Sequence, residues 1–414
     1  MAKRNCVLCH ITSLPEVSLE GCKIFLDWMK KNNFSVWQML PINPPDQYSS
    51  PYSSISAFAG WNSLSFSNEE GDLTSEDYWI KDWALYCAIK EEQNGSPWYD
   101  WPEKLRDRDP NELKKWEKKS LRYIREQKLF QSSWTKLKNL ANESDIELFG
   151  DLPIFVAHDS ADVWANRNLF QLDEHGMPKY VSGVPPDYFS ESGQKWGTVL
   201  YDWKAHEQDG WRWWRERISR SLRLFDMIRI DHFRAIHSNW AIPVEDEDAK
   251  NGHWQDGPKD DLLKQIIQVA GSNQKVIVED LGIIPQEVVD LRKRNNLCGM
   301  VVLHFGFEGD LSKNPNYPKN IDVDQICYIA THDNDTTLGW WNNASEEIIE
   351  NVKNLNLNGD NINQTMIKIA KSSRSNLIVI PMQDILNLDS DSRMNTPGIA
   401  TGNWTWKFSW DQLN

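Results

Sequence analysis

Short apolar runs alternate along the chain with longer stretches in which apolar residues recur at helical spacing. Runs of that kind, bounded by polar residues, are typical of buried strands separated by amphipathic helices. Eight strand-like runs occur, at residues 5–11, 35–42, 148–156, 226–233, 275–281, 300–307, 325–331 and 377–385. Eight successive strand and helix units predict an α/β protein, a (β/α)8 TIM barrel with helical and loop insertions.

Two stretches between the predicted strands are too long to be simple connections. Residues 66–143 are rich in Trp, Lys, Glu and Leu, which predicts a helical insertion subdomain between strands two and three. Residues 157–210 predict a second, loop-like insertion over the cleft. The catalytic barrel is therefore expected to comprise residues 1–65 and 144–414.

Three of the predicted strands carry an acidic side chain at or just beyond their carboxyl ends, namely Asp231, Glu279 and Asp333. Roughly 50 residues separate neighbouring acids, room for a strand, a loop and a helix each time, and barrel active sites lie at the carboxyl ends of the strands. Neither a Gly-rich phosphate loop nor a cluster with metal-ligand spacing accompanies them, so no cofactor and no metal are predicted. Converging carboxyls indicate acid/base and nucleophilic chemistry on a neutral substrate, such as a glycosidic bond. Each acid alone is equally well explained by capping of the next helix or by pairing with an arginine.

The net charge of −15 disfavours partners that need a basic protein surface. We therefore expect no nucleic-acid partner and no membrane partner. No apolar stretch approaches the roughly 18 residues of a membrane span. The apolar run after Lys3 and Arg4 is interrupted at His10, too early for the core of a signal peptide. These features predict a cytoplasmic protein, and they leave its oligomeric state unknown.

The segment Cys6-Val-Leu-Cys9-His10 has the form of a c-type haem attachment site. Haem attachment requires export and an exposed loop, whereas this motif lies in an apolar run without an export signal. A first barrel strand is therefore favoured over a haem or a zinc site, and the scattered cysteines are expected to be small buried side chains.

Tryptophan is unusually frequent, with 22 Trp against 21 Gly. Core packing explains most of a Trp excess, and Trp211, Trp213 and Trp214 are expected in the core. Flat aromatic faces also line sugar-binding clefts, where a ring buries the apolar face of a pyranose and polar neighbours take its hydroxyls.

A series of short motifs runs in order through nearly the whole chain: Thr12-Ser-Leu-Pro15, Trp37-Gln-Met-Leu-Pro-Ile-Asn-Pro44, Ser50-Pro-Tyr52, Ser56-Ala-Phe-Ala-Gly60, Gly150-Asp151-Leu-Pro-Ile-Phe-Val156, Asp159-Ser-Ala-Asp-Val-Trp164, Gly183-Val-Pro-Pro-Asp187-Tyr-Phe-Ser190, Arg229-Ile-Asp231-His-Phe-Arg234, Glu279-Asp-Leu-Gly282, Thr331-His-Asp333-Asn-Asp335-Thr336 and Arg393-Met-Asn395. Together they resemble the 4-alpha-glucanotransferases, also called amylomaltases or disproportionating enzymes, which are relatives of the alpha-amylases. The chain departs from the family pattern at Glu16-Val17-Ser18, where a glycine-rich turn is usual, and at Thr198-Val199.

The resemblance implies a nucleophile at Asp231, a general acid/base at Glu279 and a transition-state-stabilising acid at Asp333. Two independent considerations agree with these roles. Arg229 lies two residues before Asp231, on the same side of the strand, where its charge is expected to lower the pKa of Asp231. Glu279 ends an apolar run, so burial is expected to raise its pKa.

The resemblance also implies contacts with the substrate from residues elsewhere on the barrel face. These are Tyr52, Asp151, Asp187, Gln194, Trp196, Arg229, His232 and His332. Tyr52 would stack under the sugar at the cleavage point, and the two histidines would hydrogen-bond its hydroxyls. Without the family pattern, a strand-end histidine is better explained as a satisfied donor in the core.

The expected activity is a retaining transfer of α-1,4-glucan segments, from maltooligosaccharides or other α-1,4-glucans, through a covalent glycosyl enzyme. An α-1,4-glucan hydrolase with the same carboxyls is the first alternative, because the two differ only in whether water or sugar completes the second step. A glucan-binding protein without activity is the second alternative, which retention of all three acids disfavours.

Overall fold

The computed structural model of the protein describes residues 3–74, 77–186, 190–357, 359–399 and 401–413. Its strands are β1 (Arg4–Leu8), β2 (Val36–Gln38), β3 (Glu147–Leu152), β4 (Tyr180–Val184), β5 (Gln194–Val199), β6 (Met227–Ile230), β7 (Ser238–Pro243), β8 (His253–Asp256), β9 (Val276–Val278), β10 (Gly299–Val302), β11 (Gln325–Tyr328) and β12 (Leu377–Pro381). Its α-helices are α1 (Leu19–Lys31), α2 (Ile80–Glu92), α3 (Glu103–Arg106), α4 (Pro110–Lys114), α5 (Glu117–Glu143), α6 (Ala161–Ala165), α7 (Trp203–Gln208), α8 (Arg212–Leu224), α9 (Arg234–His237), α10 (Lys259–Ala270), α11 (Gln286–Arg294), α12 (Thr337–Asn342), α13 (Glu346–Lys353), α14 (Ile362–Ser372) and α15 (Met382–Ile385).

Eight strands form one parallel sheet in the order β10-β11-β12-β1-β2-β3-β6-β9. The two end strands of this sheet, β9 and β10, meet through a parallel bridge between Ile277 and Cys298. The sheet is therefore a nearly closed eight-stranded barrel surrounded by helices. All eight predicted strands are present in the predicted order, and the predicted (β/α)8 fold is confirmed.

Alternate residues of the barrel strands face opposite sides, as strand geometry requires. Cys6 and Leu8 of β1 pack with Met300 of β10 in one apolar cluster, which fills the barrel interior. Val7 of β1 and Val301 of β10 belong to the clusters that contain the surrounding helices. This alternation sets which side chains point into the barrel mouth further along each strand.

The segment between β2 and β3 is helical and carries α2, α3, α4 and the 27-residue helix α5. Trp98, Phe130 and Trp134 of this segment are fully buried, in the same apolar cluster as Val7 and Trp37 of the barrel. These helices therefore extend the core of the barrel. The division into a barrel and an inserted helical subdomain remains a prediction.

The segment 157–210 differs from the loop-like expectation because it contributes β4 and β5 to a four-stranded antiparallel sheet in the order β5-β4-β7-β8. β4 pairs with its sequence neighbour β5 and also with β7, which lies beyond β6 in sequence. A sheet that depends on so distant a partner carries little local signal, so the sequence pattern does not reveal it. Its interpretation as an insertion over the cleft remains a prediction.

The tryptophans at the start of helix α8 and the cysteines in and just after β1 lie where the sequence places them. Trp211, Trp213 and Trp214 are 7%, 0% and 0% exposed, which confirms their expected place in the core. Cys6 lies within β1 and Cys9 just beyond it, and both are buried, so the first-strand interpretation of this segment is confirmed. Among the described residues, no helix is both long and apolar enough to cross a bilayer.

Candidate active site

The predicted catalytic residues lie at the carboxyl ends of neighbouring barrel strands. Phe149, Met227 and Ile277 point into the barrel interior, in β3, β6 and β9. The side chains two residues further along, Asp151, Arg229 and Glu279, are therefore directed to the same side, at the mouth of the barrel. Asp231 follows β6 directly and Asp333 follows β11, so all the predicted acids lie at one end of the barrel.

Arg229 lies at the centre of a buried network of charges. Its Nε and Nη2 donate to the two carboxylate oxygens of Asp151 at 3.0 and 2.7 Å, and Nη2 also donates to Oδ1 of Asp231 at 2.7 Å. The Tyr52 hydroxyl donates to Asp151 at 2.6 Å. The side chains of Arg229 and Asp151 are 5% and 1% exposed. A bidentate, desolvated pair of this kind fixes the guanidinium in place beside Asp231.

The pKa of Asp231 is raised, not lowered, in this site. Burial raises the pKa of Asp231 to about 8, Arg229 opposes the rise, and the carboxyls of Asp151, Glu279 and Asp333 add to it. The expectation of a lowered pKa was wrong, because it left out the burial of the carboxyl, which raises the pKa of Asp231 by more than Arg229 lowers it. Asp151 also shares the charge of Arg229.

Glu279 is held by two backbone donors. Its Oε2 accepts from the N–H of His232 at 2.7 Å, and its Oε1 accepts from the N–H of Leu281 at 2.9 Å. Burial raises the pKa of Glu279 above its ordinary value, while Arg229 and these two hydrogen bonds oppose the rise. The expected direction is confirmed. The carboxyl is oriented rigidly and retains its proton to higher pH than an exposed glutamate does.

Asp333 lies on the open side of the site, with its side chain 47% exposed. Asn395 donates to its Oδ1 at 2.6 Å, and Arg393 donates to its backbone carbonyl at 3.0 Å. Nε2 of His332 lies 3.3 Å from the other carboxylate oxygen. Asp333 is therefore oriented by its neighbours and remains open to a bound molecule.

Aromatic rings form one wall of the site. The rings of Tyr52 and His332 stack, with centroids 5.0 Å apart and planes inclined by 14°. Trp404 lies against both, with centroids 5.7 Å from Tyr52 and 5.8 Å from His332. Such a wall presents flat apolar surface beside polar groups, the combination that suits a pyranose ring.

Strand β5 brings Trp196 and Gln194 to the other side of the site. The indole N–H of Trp196 donates to the side-chain oxygen of Gln194 at 3.1 Å. The Trp196 ring meets His232 edge-on at 4.8 Å and remains 38% exposed. His232 has φ of +50°, a conformation that strains a residue other than glycine and that turns the chain sharply after Asp231. Asp187 lies outside the described residues.

Both site histidines are neutral near pH 7. Burial lowers the pKa of His232 to about 4 and also lowers the pKa of His332. A neutral imidazole carries one donor and one acceptor nitrogen, so each ring can exchange hydrogen bonds with sugar hydroxyls without adding charge to the site.

Sequence reasoning missed three residues of the site as contacts. Arg393 and Asn395 stand in one of the quoted motifs, yet nothing in that short string indicates that they hold Asp333. Trp404 was one tryptophan among many, with no local feature to distinguish it. Within the described parts of the chain, no three His, Cys, Asp or Glu side chains are arranged to hold a metal ion.

Comparison with known proteins agrees with this geometry. A family model described as 4-alpha-glucanotransferase matches residues 9–70 and 70–412. The chloroplastic/amyloplastic 4-alpha-glucanotransferase of Solanum tuberosum is 38% identical over 487 aligned positions, which cover 100% of this chain and 84% of the relative. The 4-alpha-glucanotransferase of Synechocystis sp. is 37% identical, with 100% of this chain and 96% of the relative covered.

Solved structures extend the similarity to three dimensions. An amylomaltase from Streptococcus agalactiae in complex with acarbose superposes with a TM-score of 0.93 at 28% identity, covering 100% of this chain and 96% of that one. An amylomaltase from Corynebacterium glutamicum, at 15% identity, shares the fold with a TM-score of 0.77 over 98% of this chain and 71% of that one. The chain belongs to the 4-alpha-glucanotransferase family and is an enzyme that transfers α-1,4-glucan segments.

Proposed function

We propose that Asp231 is the nucleophile, Glu279 the general acid and base, and Asp333 the group that stabilises the transition state of this transfer. The observation that supports these roles is the pair of oriented carboxyls at adjacent strand ends. Asp231 is held by Arg229 at 2.7 Å, and Glu279 is held by two backbone N–H groups.

In the first step, Asp231 attacks the anomeric carbon while the glycosidic bond breaks. The bonding electrons leave with the departing oxygen, which takes the proton of Glu279. The product is a β-linked glycosyl ester on Asp231. In the second step, Glu279 removes the proton from the 4-hydroxyl of an acceptor glucan, and that oxygen displaces Asp231, so that an α-1,4 bond forms again.

The charges of the network fit a covalent intermediate. Arg229 holds Oδ1 of Asp231, so we assign the attack to the other oxygen, Oδ2. Ester formation removes the charge of Asp231 and leaves Arg229 paired with Asp151. Because that pair is neutral as a unit, the intermediate leaves no uncompensated buried cation, which would otherwise be costly.

We assign the binding of glucan to the surrounding side chains, with one refinement. Both oxygens of Asp151 are engaged and its side chain is 1% exposed, so we propose that it positions Arg229 and Tyr52 without touching sugar. The remaining proposed contacts with glucan are Tyr52, Gln194, Trp196, His232 and His332, together with Trp404 from the aromatic wall and Asp187 as implied by the family pattern. Arg229 is assigned an indirect role, in which it holds the Asp231 carboxyl beside the reacting carbon.

Maltooligosaccharides are the proposed donors and acceptors, and the cytoplasm is the proposed location. The cysteines support the location: all six are free thiols. Thiols that persist unpaired are typical of a reducing compartment.

The activity is expected to fall on the alkaline side, at a pH above the ordinary pKa of a glutamate. The carboxyls of Asp231 and Glu279 interact and lose protons as a pair, and one proton must remain for the first step. Because burial raises the pKa of Glu279, that proton stays bound until the pH passes the raised value, and kcat/KM for maltotriose should be lost as the pH rises through it. Initial rates from pH 5 to 9 measure this limb; an alkaline limb near pH 5 would contradict a raised pKa.

An assay with maltotriose separates transfer from hydrolysis. A transferase releases glucose and builds longer maltooligosaccharides while the total number of reducing ends stays nearly constant. A hydrolase adds one reducing end with every turnover. Reducing ends that rise in step with glucose would show that hydrolysis dominates in this chain.

Replacing Trp196 by Ala is expected to raise hydrolysis relative to transfer by several-fold. The exposed indole offers an acceptor sugar a stacking surface, and water needs none, so truncation penalises the sugar selectively. Trp254→Ala is the matched control, because Trp254 is 40% exposed on β8 at the far edge of the same sheet. If Trp196→Ala leaves the ratio of reducing ends to glucose equal to that of Trp254→Ala, the proposed acceptor contact is wrong.

A further inference from the structure

The join between β9 and β10 is the least extensive of the barrel. Every other pair of adjacent barrel strands is joined over at least two registered residue pairs, as between β11 and β12. Between β9 and β10 there is the single bridge of Ile277 and Cys298, with one backbone hydrogen bond from Val278 N–H to the Cys298 carbonyl at 2.9 Å. Glu279 follows β9 directly, so any opening of this join would displace it.

The carboxylate of Asp280 takes the place of the missing ladder. Its Oδ1 accepts from the backbone N–H of Met300 in β10 at 2.9 Å, a donor that a longer β9 would have satisfied with its own carbonyl. Its Oδ2 lies 2.9 Å from Nε of Arg292, on α11. The side chains of Arg292 and Asp280 are 3% and 7% exposed, so this ion pair is buried.

Arg292 connects the end of β9 to the starts of two further strands. Its Nη1 donates to the carboxylate and to the carbonyl of Asp324, at 2.9 and 3.0 Å, and to the carbonyl of Leu297 at 3.1 Å. Leu297 lies just before β10, and Asp324 precedes β11. Nη1 therefore meets three acceptors near the starts of these strands, and any shift of the buried guanidinium would leave its charge without these partners.

Gly299, the first residue of β10, provides the space for this pair. A Cβ at this position would lie 2.7 Å from both carboxylate oxygens of Asp280 and 2.9 Å from Nε of Arg292. A side chain of any size would push the ion pair apart. The glycine is therefore explained by the close approach of the pair.

The pair is connected to Glu279 through the adjoining peptide. Asp280 separates Glu279 from Leu281, and the N–H of Leu281 donates to Oε1 of Glu279 at 2.9 Å. We propose that the buried Asp280–Arg292 ion pair positions Glu279, by closing the join between β9 and β10 and by directing the Leu281 N–H at the carboxyl of Glu279. This inference rests on the proposed role of Glu279 as general acid and base. Asp280 and Arg292 are positioning residues and do not touch the substrate.

The charge of Asp280 also acts on Glu279 directly. Arg229 and Asp231 face Glu279 from the end of β6, and Asp280 is the residue that follows Glu279 after β9. Burial first, and Asp280 in addition, raise the pKa of Glu279, whereas Arg229 lowers it. Removing the charge of Asp280 therefore lowers the pKa of Glu279, so the alkaline limb of kcat/KM should move to lower pH.

The test is Asp280→Asn, which keeps an acceptor for Met300 but removes the charge that pairs with Arg292. We expect kcat on maltotriose to fall by about 10- to 100-fold, with KM changed by less than about threefold, because a displaced acid slows the chemical step more than it weakens binding. The alkaline limb should shift to lower pH. Asp260→Asn is the matched control: Asp260 pairs at 2.6 Å with Arg294, on the same helix α11, but at the surface.

A second variant separates geometry from charge and guards against misfolding. Gly299→Ala places a methyl group against the ion pair without changing any charge. We therefore expect kcat to fall. The alkaline limb of kcat/KM should stay closer to the wild-type pH than it does in Asp280→Asn. Thermal unfolding of each variant gives its folded fraction at the assay temperature. The positioning role is wrong if the activity of each variant falls only in proportion to its folded fraction and the alkaline limb of kcat/KM of folded Asp280→Asn does not move.

A third variant distinguishes failure of this inference from failure of the proposed function. If Glu279→Gln is nearly as active as wild type, the role of Glu279 itself is wrong. If Glu279→Gln is slow while Asp280→Asn and Gly299→Ala match wild type in kcat and pH profile, only the positioning role is wrong.

Discussion

Asp231→Asn should abolish turnover, with kcat reduced by a factor on the order of 10⁴–10⁶, the range seen when the nucleophile of a covalent mechanism is removed. The amide is nearly isosteric with the carboxylate, and its oxygen can still accept the hydrogen bond that Arg229 donates to Oδ1 of Asp231. Fold and glucan binding should therefore be retained. Only the formation of the glycosyl ester is lost, because an amide does not attack the anomeric carbon.

The measurement pairs steady-state transfer on maltotriose with calorimetric binding of maltooligosaccharide. Asp256→Asn is the control, because Asp256 has an 84% exposed side chain on β8 and should behave as wild type in both assays. An Asp231→Asn variant that binds glucan and retains more than about a hundredth of the wild-type rate would remove Asp231 from the role of nucleophile.

Glu279→Gln should slow transfer between unactivated glucans by about 10²–10⁴-fold, the usual contribution of general acid/base assistance. The glutamine oxygen can still accept from one of the two backbone donors, His232 N–H or Leu281 N–H, so the local structure should persist. The loss arises because the amide has no proton to give to the departing oxygen and cannot take one from the acceptor.

The choice of leaving group makes this test specific. A glycosyl fluoride needs little protonation to depart, so Glu279→Gln should form the intermediate from α-maltosyl fluoride much faster, relative to wild type, than from maltotriose. Glu287→Gln, an exposed position in the first turn of α11, serves as the control. An equal loss on the two donors would show that Glu279 does not protonate the leaving group.

The barrel could be predicted from sequence because each of its strands is marked locally. Runs such as Lys275-Val-Ile-Val-Glu279 are apolar, short and bounded by polar residues, and the number of runs alone indicates closure. The four-stranded sheet could not be predicted in this way. Its strand β4 pairs with β7, whose partner residues lie more than 50 positions further along the sequence, and no local pattern reveals that pairing.

The site shows the same division between local and long-range information. The alternation of side chains along a strand predicts that Arg229 and Asp231 lie together, and they do. The burial of the Asp231 carboxyl, and the approach of Asp151 through the pairing of β3 with β6, exist only in the folded chain, so the pKa of Asp231 is raised where the sequence predicts that it is lowered. Asn395 reaches Asp333 across 62 residues of sequence, a contact that only the folded chain defines.

The most direct test of the proposed mechanism is to trap the glycosyl enzyme and locate the modified residue. An α-maltosyl fluoride with a further fluorine on the reacting ring destabilises the positively charged transition states, so that an ester, once formed, breaks down slowly. Intact-protein mass spectrometry followed by peptide mapping then identifies the attachment site. We predict an added mass of one fluorinated maltosyl group per chain, on the peptide that contains Asp231, and no added mass in Asp231→Asn. A stable adduct on any other carboxyl, or an equal adduct in Asp231→Asn, would contradict Asp231 as the nucleophile.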